Sequence, residues 1–184
     1  MKRIILTSIL FLLSQNSIAK SGKSNISLQP IVGYERVQSL QPTAHTKDRF
    51  VYGLRLLFGP PLLSLEAQIT QGNDTESFSD RDLSIKEEVT NAMLGIRSSF
   101  GKGPLRFYLR AGGHARKSKI TTTQADITTT KEPGIYLSPY AGTGASLRLA
   151  NILSLNAGIT AIFSGKPKGS DREYQTTLGF SFKI

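Results

Sequence analysis

The chain has 184 residues, no cysteine, a formal charge of +10 and a slightly negative mean hydropathy. That length suits one domain with a buried layer, and the missing cysteine excludes disulfide staples and thiolate metal sites. Beyond residue 19 no apolar run is long enough for a membrane helix, so a membrane location requires a closed β-barrel.

Residues 1–19 read as a secretory signal peptide. Lys2 and Arg3 precede an apolar stretch from Ile4 to Leu13, and Ser17 and Ala19 stand where a cut after Ala19 needs small residues. The stretch is too short for a membrane anchor. No cysteine lies near the cut, so no lipoprotein anchor is expected. The remaining 20–184 is read as one β-barrel domain. Its basic surface favours lipopolysaccharide phosphates or other anions. Nucleic acid is not an expected partner, because the chain has no basic helix and export removes it from nucleic acid.

Taken in order, the domain alternates with a period of two, which means strands with one apolar and one polar face. Ile26 to Val37 is the first, with Ile26, Leu28, Pro30, Val32 and Tyr34 on one face. Pro30 removes a ladder donor, so a bulge is predicted there. A polar loop from Gln38 to Lys47 leads to the second strand, Phe50 to Phe58. Gly59-Pro60-Pro61 reverses the chain into a third strand through Leu63, Leu65, Ala67 and Ile69.

Gln71 to Glu88 reads as a long acidic connection carrying Asp74, Glu76, Asp80, Asp82, Glu87 and Glu88. The fourth strand, Val89 to Phe100, turns at Gly101-Lys102-Gly103-Pro104 into a fifth through Leu105, Phe107, Leu109 and Ala111. Lys117 to Pro133 contains two runs of three threonines and reads either as a long projecting hairpin or as a loop. Strands six (Tyr136 to Leu149), seven (Leu153 to Phe163) and eight (Tyr174 to Ile184) complete the series. Connections after odd strands are long and polar, and those after even strands are short. That asymmetry predicts an all-β fold, an eight-stranded antiparallel up-and-down transmembrane β-barrel.

The main rival is a soluble lipocalin-like barrel, with its apolar face inward. Parity argues against it. Arg55, Glu66, Arg97, Arg106, Arg110, Arg148 and Lys183 lie opposite the aliphatic residues, together with many glycines. Large and small residues together fill a narrow lumen. Charges against lipid would cost roughly 2–4 kcal/mol each near the midplane. Aromatic residues at both ends of the aliphatic face fit two interfacial girdles.

Counting back from Gly59-Pro60-Pro61 places Arg55 opposite Glu66 and predicts an interior ion pair of structural character. Glu66 is read as the one acid central in a strand. The basic cluster of Arg97, Arg106, Arg110 and Arg148 therefore calls for an anion or ordered water. No catalytic, cofactor-binding or metal-binding residue is assigned. His45 is placed in a loop and His114 inward, and neither has the neighbours of a metal site. The acidic connection matches no calcium-loop spacing and reads as solvated. An enzyme is not expected.

The last strand ends Tyr174-Gln-Thr-Thr-Leu-Gly-Phe-Ser-Phe-Lys-Ile184. Together with the strand pattern from Ile26 onward, it resembles the small eight-stranded outer-membrane barrels, the OmpA/OmpX-like group. The resemblance implies that Thr177, Gly179, Phe182 and Ile184 form an assembly signal read by the barrel-assembly machinery, with Ile184 replacing the usual terminal aromatic. The resemblance is to the barrel alone, and no peptidoglycan-binding domain is expected to follow it. It also implies residence in the cell outer membrane among its lipids, including lipopolysaccharide, and a structural or surface-interaction role through the outer loops. The alternative role is a narrow pore or transporter for small or hydrophobic solutes. The loop sequences identify no surface ligand.

Overall fold

The computed structural model describes residues 26–39, 45–79, 82–124, 127–164 and 173–184. The expected signal peptide lies outside them, as does Asp80. Nine strands are present among the described residues: β1 (Ile26–Ser39), β2 (His45–Phe58), β3 (Ser64–Phe78), β4 (Leu83–Phe100), β5 (Leu105–Gln124), β6 (Ile127–Lys131), β7 (Tyr136–Arg148), β8 (Leu153–Ile162) and β9 (Glu173–Lys183). All pairings are antiparallel. β1 pairs with both β2 and β9, β4 pairs with β5, and β5 continues to β7, β8 and back to β9. The result is a closed ring of eight strands, which leaves no free sheet edge around the barrel.

β6 lies outside this ring, as an extension opposite the far end of β5. Ile120 pairs with Lys131 and Arg116 with Tyr136, so residues 117–119 face the longer segment 132–135. The extra residue, beside Pro133, interrupts the ladder as a bulge does. The threonine-rich segment is therefore a hairpin, with Thr121, Thr122 and Thr123 paired to Thr130, Thr129 and Thr128. Thr123 and Thr128 are hydrogen-bonded through their hydroxyls at 3.2 Å.

Several strands run further than their apolar alternation predicts. β2 begins at His45, β3 continues to Phe78 and β4 begins at Leu83. The expected acidic connection is thus mostly ladder, with Asp74 paired to Glu87 and Glu76 to Ile85. Its charged residues still alternate, but above the apolar belt both faces are polar, so hydropathy alone loses the strand. Pro30 also departs from expectation. The β1–β2 register is unbroken from Ile26↔Phe58 through Pro30↔Leu54 to Ser39↔His45, so no bulge forms.

The distribution of polarity is the reverse of a soluble core. Leu65, Leu94 and Leu109 are 58%, 68% and 56% exposed, while Arg55 and Glu66 are 1% and 0% exposed. Aliphatic side chains cover the outside and polar ones fill the inside, which makes this a transmembrane barrel rather than a soluble ligand carrier. Tyr34 and Phe50 meet edge to face at 5.6 Å near the long-loop end, and Phe100 and Phe107 lie 6.4 Å apart near the short-turn end. Beyond the first pair, outward positions become charged at Arg36, Asp48, Lys86, Glu88, Lys117 and Lys119, which places them above the membrane.

Candidate functional site

The lumen contains two layers of charge. In the layer nearer the short turns, Glu66 sits among three arginines. Arg110 Nη1 is 3.0 Å from Glu66 Oε1, Arg55 Nε is 3.8 Å from Oε2 and Arg97 Nη1 is 3.9 Å from Oε2. The predicted Arg55–Glu66 contact therefore exists as a loose diagonal one, and the predicted register needs correction. Arg55 pairs across the ladder with Gln68, and Glu66 pairs with Leu57. The reversal closes later than Gly59-Pro60-Pro61 alone implies, because Leu63 N donates to Pro60 O at 3.1 Å and centres the turn on Pro61 and Leu62.

Arg55 is held chiefly by Gln68, whose Oε1 accepts from Nε at 2.9 Å and from Nη2 at 2.7 Å. The same Gln68 oxygen accepts from Arg110 Nη1 at 3.1 Å, and Gln68 Nε2 donates to Gln175 Oε1 at 3.0 Å. These bonds join β3 to β5 and β9 across the lumen. Arg97 stacks on the Tyr108 ring at 3.5 Å, a cation–π contact. Tyr108 in turn lies over Gly144 and Gly158, where a Cβ would collide with its ring or hydroxyl. The tyrosine ring lies along the lumen wall here because the next two strands carry no side chain at this level: Gly144 of β7 pairs with Tyr108, and Gly158 of β8 pairs with Gly144.

The second layer lies toward the long-loop end. Glu35, fully buried, accepts from Arg116 Nη2 at 2.7 Å and Asn91 Nδ2 at 3.2 Å through Oε1, and from Arg49 Nη1 at 3.4 Å through Oε2. Arg116 also contacts Glu173 at 2.7 Å, and Arg49 contacts Glu87 at 2.5 Å. Lys47 Nζ contacts Asp74 at 2.6 Å and Glu87 at 2.9 Å, and His45 Nε2 lies 2.7 Å from Glu76. Glu66 is thus not the only acid central in a strand. Glu35 shares the parity of Ile31 and Gly33, and that parity was the signal that could have assigned it to the lumen. Asp74 and Glu76, expected in a solvated loop, instead point into this network.

Above the membrane two groups in this layer are shifted. Burial pushes the Lys47 ammonium down, but hydrogen bonds and charge from Asp74 and Glu87 outweigh it and raise it above its ordinary value of 10.5. Burial likewise pushes the Glu87 carboxyl up, but Arg49, Lys47 and Arg116 overcome it and hold it below its ordinary 4.5.

The predicted basic cluster divides in two. Arg97 and Arg110 join Glu66, whereas Arg106 and Arg148 line the mouth at the short turns. His114 is buried with Nε2 3.1 Å from Asn91 Oδ1. No group of three or more metal-ligating side chains occurs among the described residues. On β9, Thr177 and Gly179 face the lumen, with Thr177 Oγ1 accepting from Arg55 Nη2 at 3.4 Å, while Phe182 and Ile184 are exposed.

No protein-family model and no curated protein sequence matches the chain. Solved structures do match. Neisserial surface protein A is similar at 15% identity with a TM-score of 0.60, covering 86% of this chain and 97% of that one. Ail, the attachment invasion locus protein of Yersinia pestis, is similar at 12% identity and TM-score 0.61, covering 89% and 100%, both alone and in complex with the heparin analogue sucrose octasulfate. The N-terminal β-barrel domain of Pseudomonas aeruginosa OprF is similar at 14% identity and TM-score 0.58, covering 88% and 100%. The fold is that of the small eight-stranded outer-membrane β-barrels.

Proposed function

We propose that this outer-membrane barrel is a surface-interaction protein whose polar hairpins, rather than its lumen, meet a partner. The observation that carries this reading is the cross-lumen bonding of Gln68 to Gln175 and Arg110, which fills the interior where a pore needs open space. Meanwhile the β3–β4 and β5–β6 hairpins continue as ladder above the apolar belt. β6 is exposed at every position, and Lys86, Lys117 and Lys119 stand on the outward faces. Paired strands hold these groups in place, which lowers the ordering cost of binding. That such a fold serves attachment in another organism, and that Ail was crystallised with a sulfated sugar, supports a polyanionic surface partner.

In the same reading residues 1–19 are removed on export. The outer lysines meet lipopolysaccharide phosphates, and Thr177, Gly179, Phe182 and Ile184 form the address for the barrel-assembly machinery. No enzymatic role is assigned.

The test is adhesion. Cells displaying the barrel, and cells displaying a variant in which residues 121–130 are replaced by a short turn, are compared on immobilised heparin. The reading expects the variant to lose most of the adhesion while keeping heat-modifiable gel mobility. Equal adhesion of both, or none above empty cells, overturns it.

A further inference from the structure

The short-turn mouth of the lumen is a cavity of about 260 Å³. Arg97, Arg106, Arg148 and Lys183 line it, with Ser154 and Asn156 between them, and no acidic side chain does. Arg97 is 3% exposed, and its Nη1 has no hydrogen-bond partner. The Arg106 Nε is also buried without one. Glu66 lies behind Arg97, with Oε2 3.9 Å from Arg97 Nη1, and is already shared with Arg55 and Arg110. This mouth therefore gathers four cations: Arg106 keeps an unused buried donor, Arg97 Nη2 donates to Asn156 Oδ1 at 3.4 Å while its Nη1 has only Glu66 at 3.9 Å, and no acidic side chain lies on the walls. Buried donors without acceptors are costly, and forked guanidinium donors match the oxygens of a tetrahedral or planar oxyanion.

We propose that this mouth is a binding site for a small phosphate-class oxyanion. Arg97 and Arg106 would supply the inner donors, and Arg148 and Lys183 would close the rim. The size supports a small ligand, since pockets for drug-sized molecules begin at roughly 300 Å³. Two sources carry this chemistry: free phosphate or a phosphate monoester in the aqueous space beneath the turns, and the headgroup of an anionic phospholipid.

The test uses the folded barrel in a zwitterionic detergent at low ionic strength. Inorganic phosphate is titrated by calorimetry into the parent protein and into the double variant Arg106→Gln/Arg148→Gln. These positions lie outside the Glu66 network, so the variant should keep its heat-modifiable mobility. A second arm measures retention of phosphatidylglycerol on both proteins by native mass spectrometry. Saturable phosphate binding that weakens about tenfold or more in the variant supports the site with a free anion as ligand. Phosphatidylglycerol retention that is lost in the variant, without phosphate binding, supports the site with a lipid headgroup as ligand. Absence of both, or binding equal in the two proteins, overturns the proposal.

Discussion

Glu66 of β3 and Arg110 of β5 meet at 3.0 Å although they stand two strands apart. The strand between them, β4, places Gly95 opposite Glu66. Glu66 accepts no well-aligned hydrogen bond, so charge rather than geometry holds it. It is the carboxylate around which Arg55, Arg97 and Arg110 are tolerated in a buried layer. Glu66→Gln should therefore lower stability by about 3–5 kcal/mol, the usual cost of stranding buried charge. In double-mutant cycles by urea unfolding in micelles, Glu66 should couple more strongly to Arg110 than to Arg55, whose contact is 3.8 Å. Equal coupling would contradict the assignment of Arg110 as its principal partner.

Tyr108 fills the space that Gly144 and Gly158 leave open. Gly144→Ala should cost about 1–3 kcal/mol by overpacking. Adding Tyr108→Leu to that variant should recover part of the loss in the same unfolding assay. A Gly144→Ala barrel as stable as its parent would mean that the ring does not lie over this position.

The outer charge layer should loosen in acid. Glu87 has a folded pKa below its unfolded value of 4.5, so its contribution is present above that pH and is lost as pH falls through the folded pKa. Lys47 is raised above 10.5, so its contribution is present below that pH and is lost as pH rises through its folded value. Amide protection relative to the unfolded chain, in the upper parts of β2, β3 and β4, should be greatest between these limits. In Glu87→Gln the acid-side loss of protection should shrink. An unchanged acid limb would remove Glu87 from the account.

Lipid contact makes a separate demand on the outside. Leu94 is 68% exposed in the middle of β4, so Leu94→Arg should impair refolding into vesicles by about 2–4 kcal/mol. Lys86→Leu, above the belt, should leave refolding nearly unchanged. Comparable penalties at both positions would displace the membrane band.

The strand faces were legible because lipid forces a strict alternation. Leu54 and Leu56 outward with Arg55 inward leaves one reading of parity, and the same holds for the membrane-spanning parts of the eight ring strands. Lumen partners were less legible. Gln68 and Gln175 are far apart in the chain and meet only because the ring closes, so no local spacing announces them. The Arg55 register failed because one hydrogen bond, Leu63 to Pro60, shifts where the reversal is centred. Glu35 was hidden differently. Its parity was correct in the sequence, but its partner Arg49 lay just outside the second strand as its apolar alternation bounded it, at Phe50. Above the belt the alternation persists without its apolar half, and there the sequence pattern gives out before the strands do.

Side chains bonded across the lumen fill the interior of this barrel. Planar-bilayer recording on protein with verified heat-modifiable mobility tests that most directly. The account predicts a flat baseline under applied voltage at neutral pH. Stable, reproducible single-channel steps from the parent protein would contradict it.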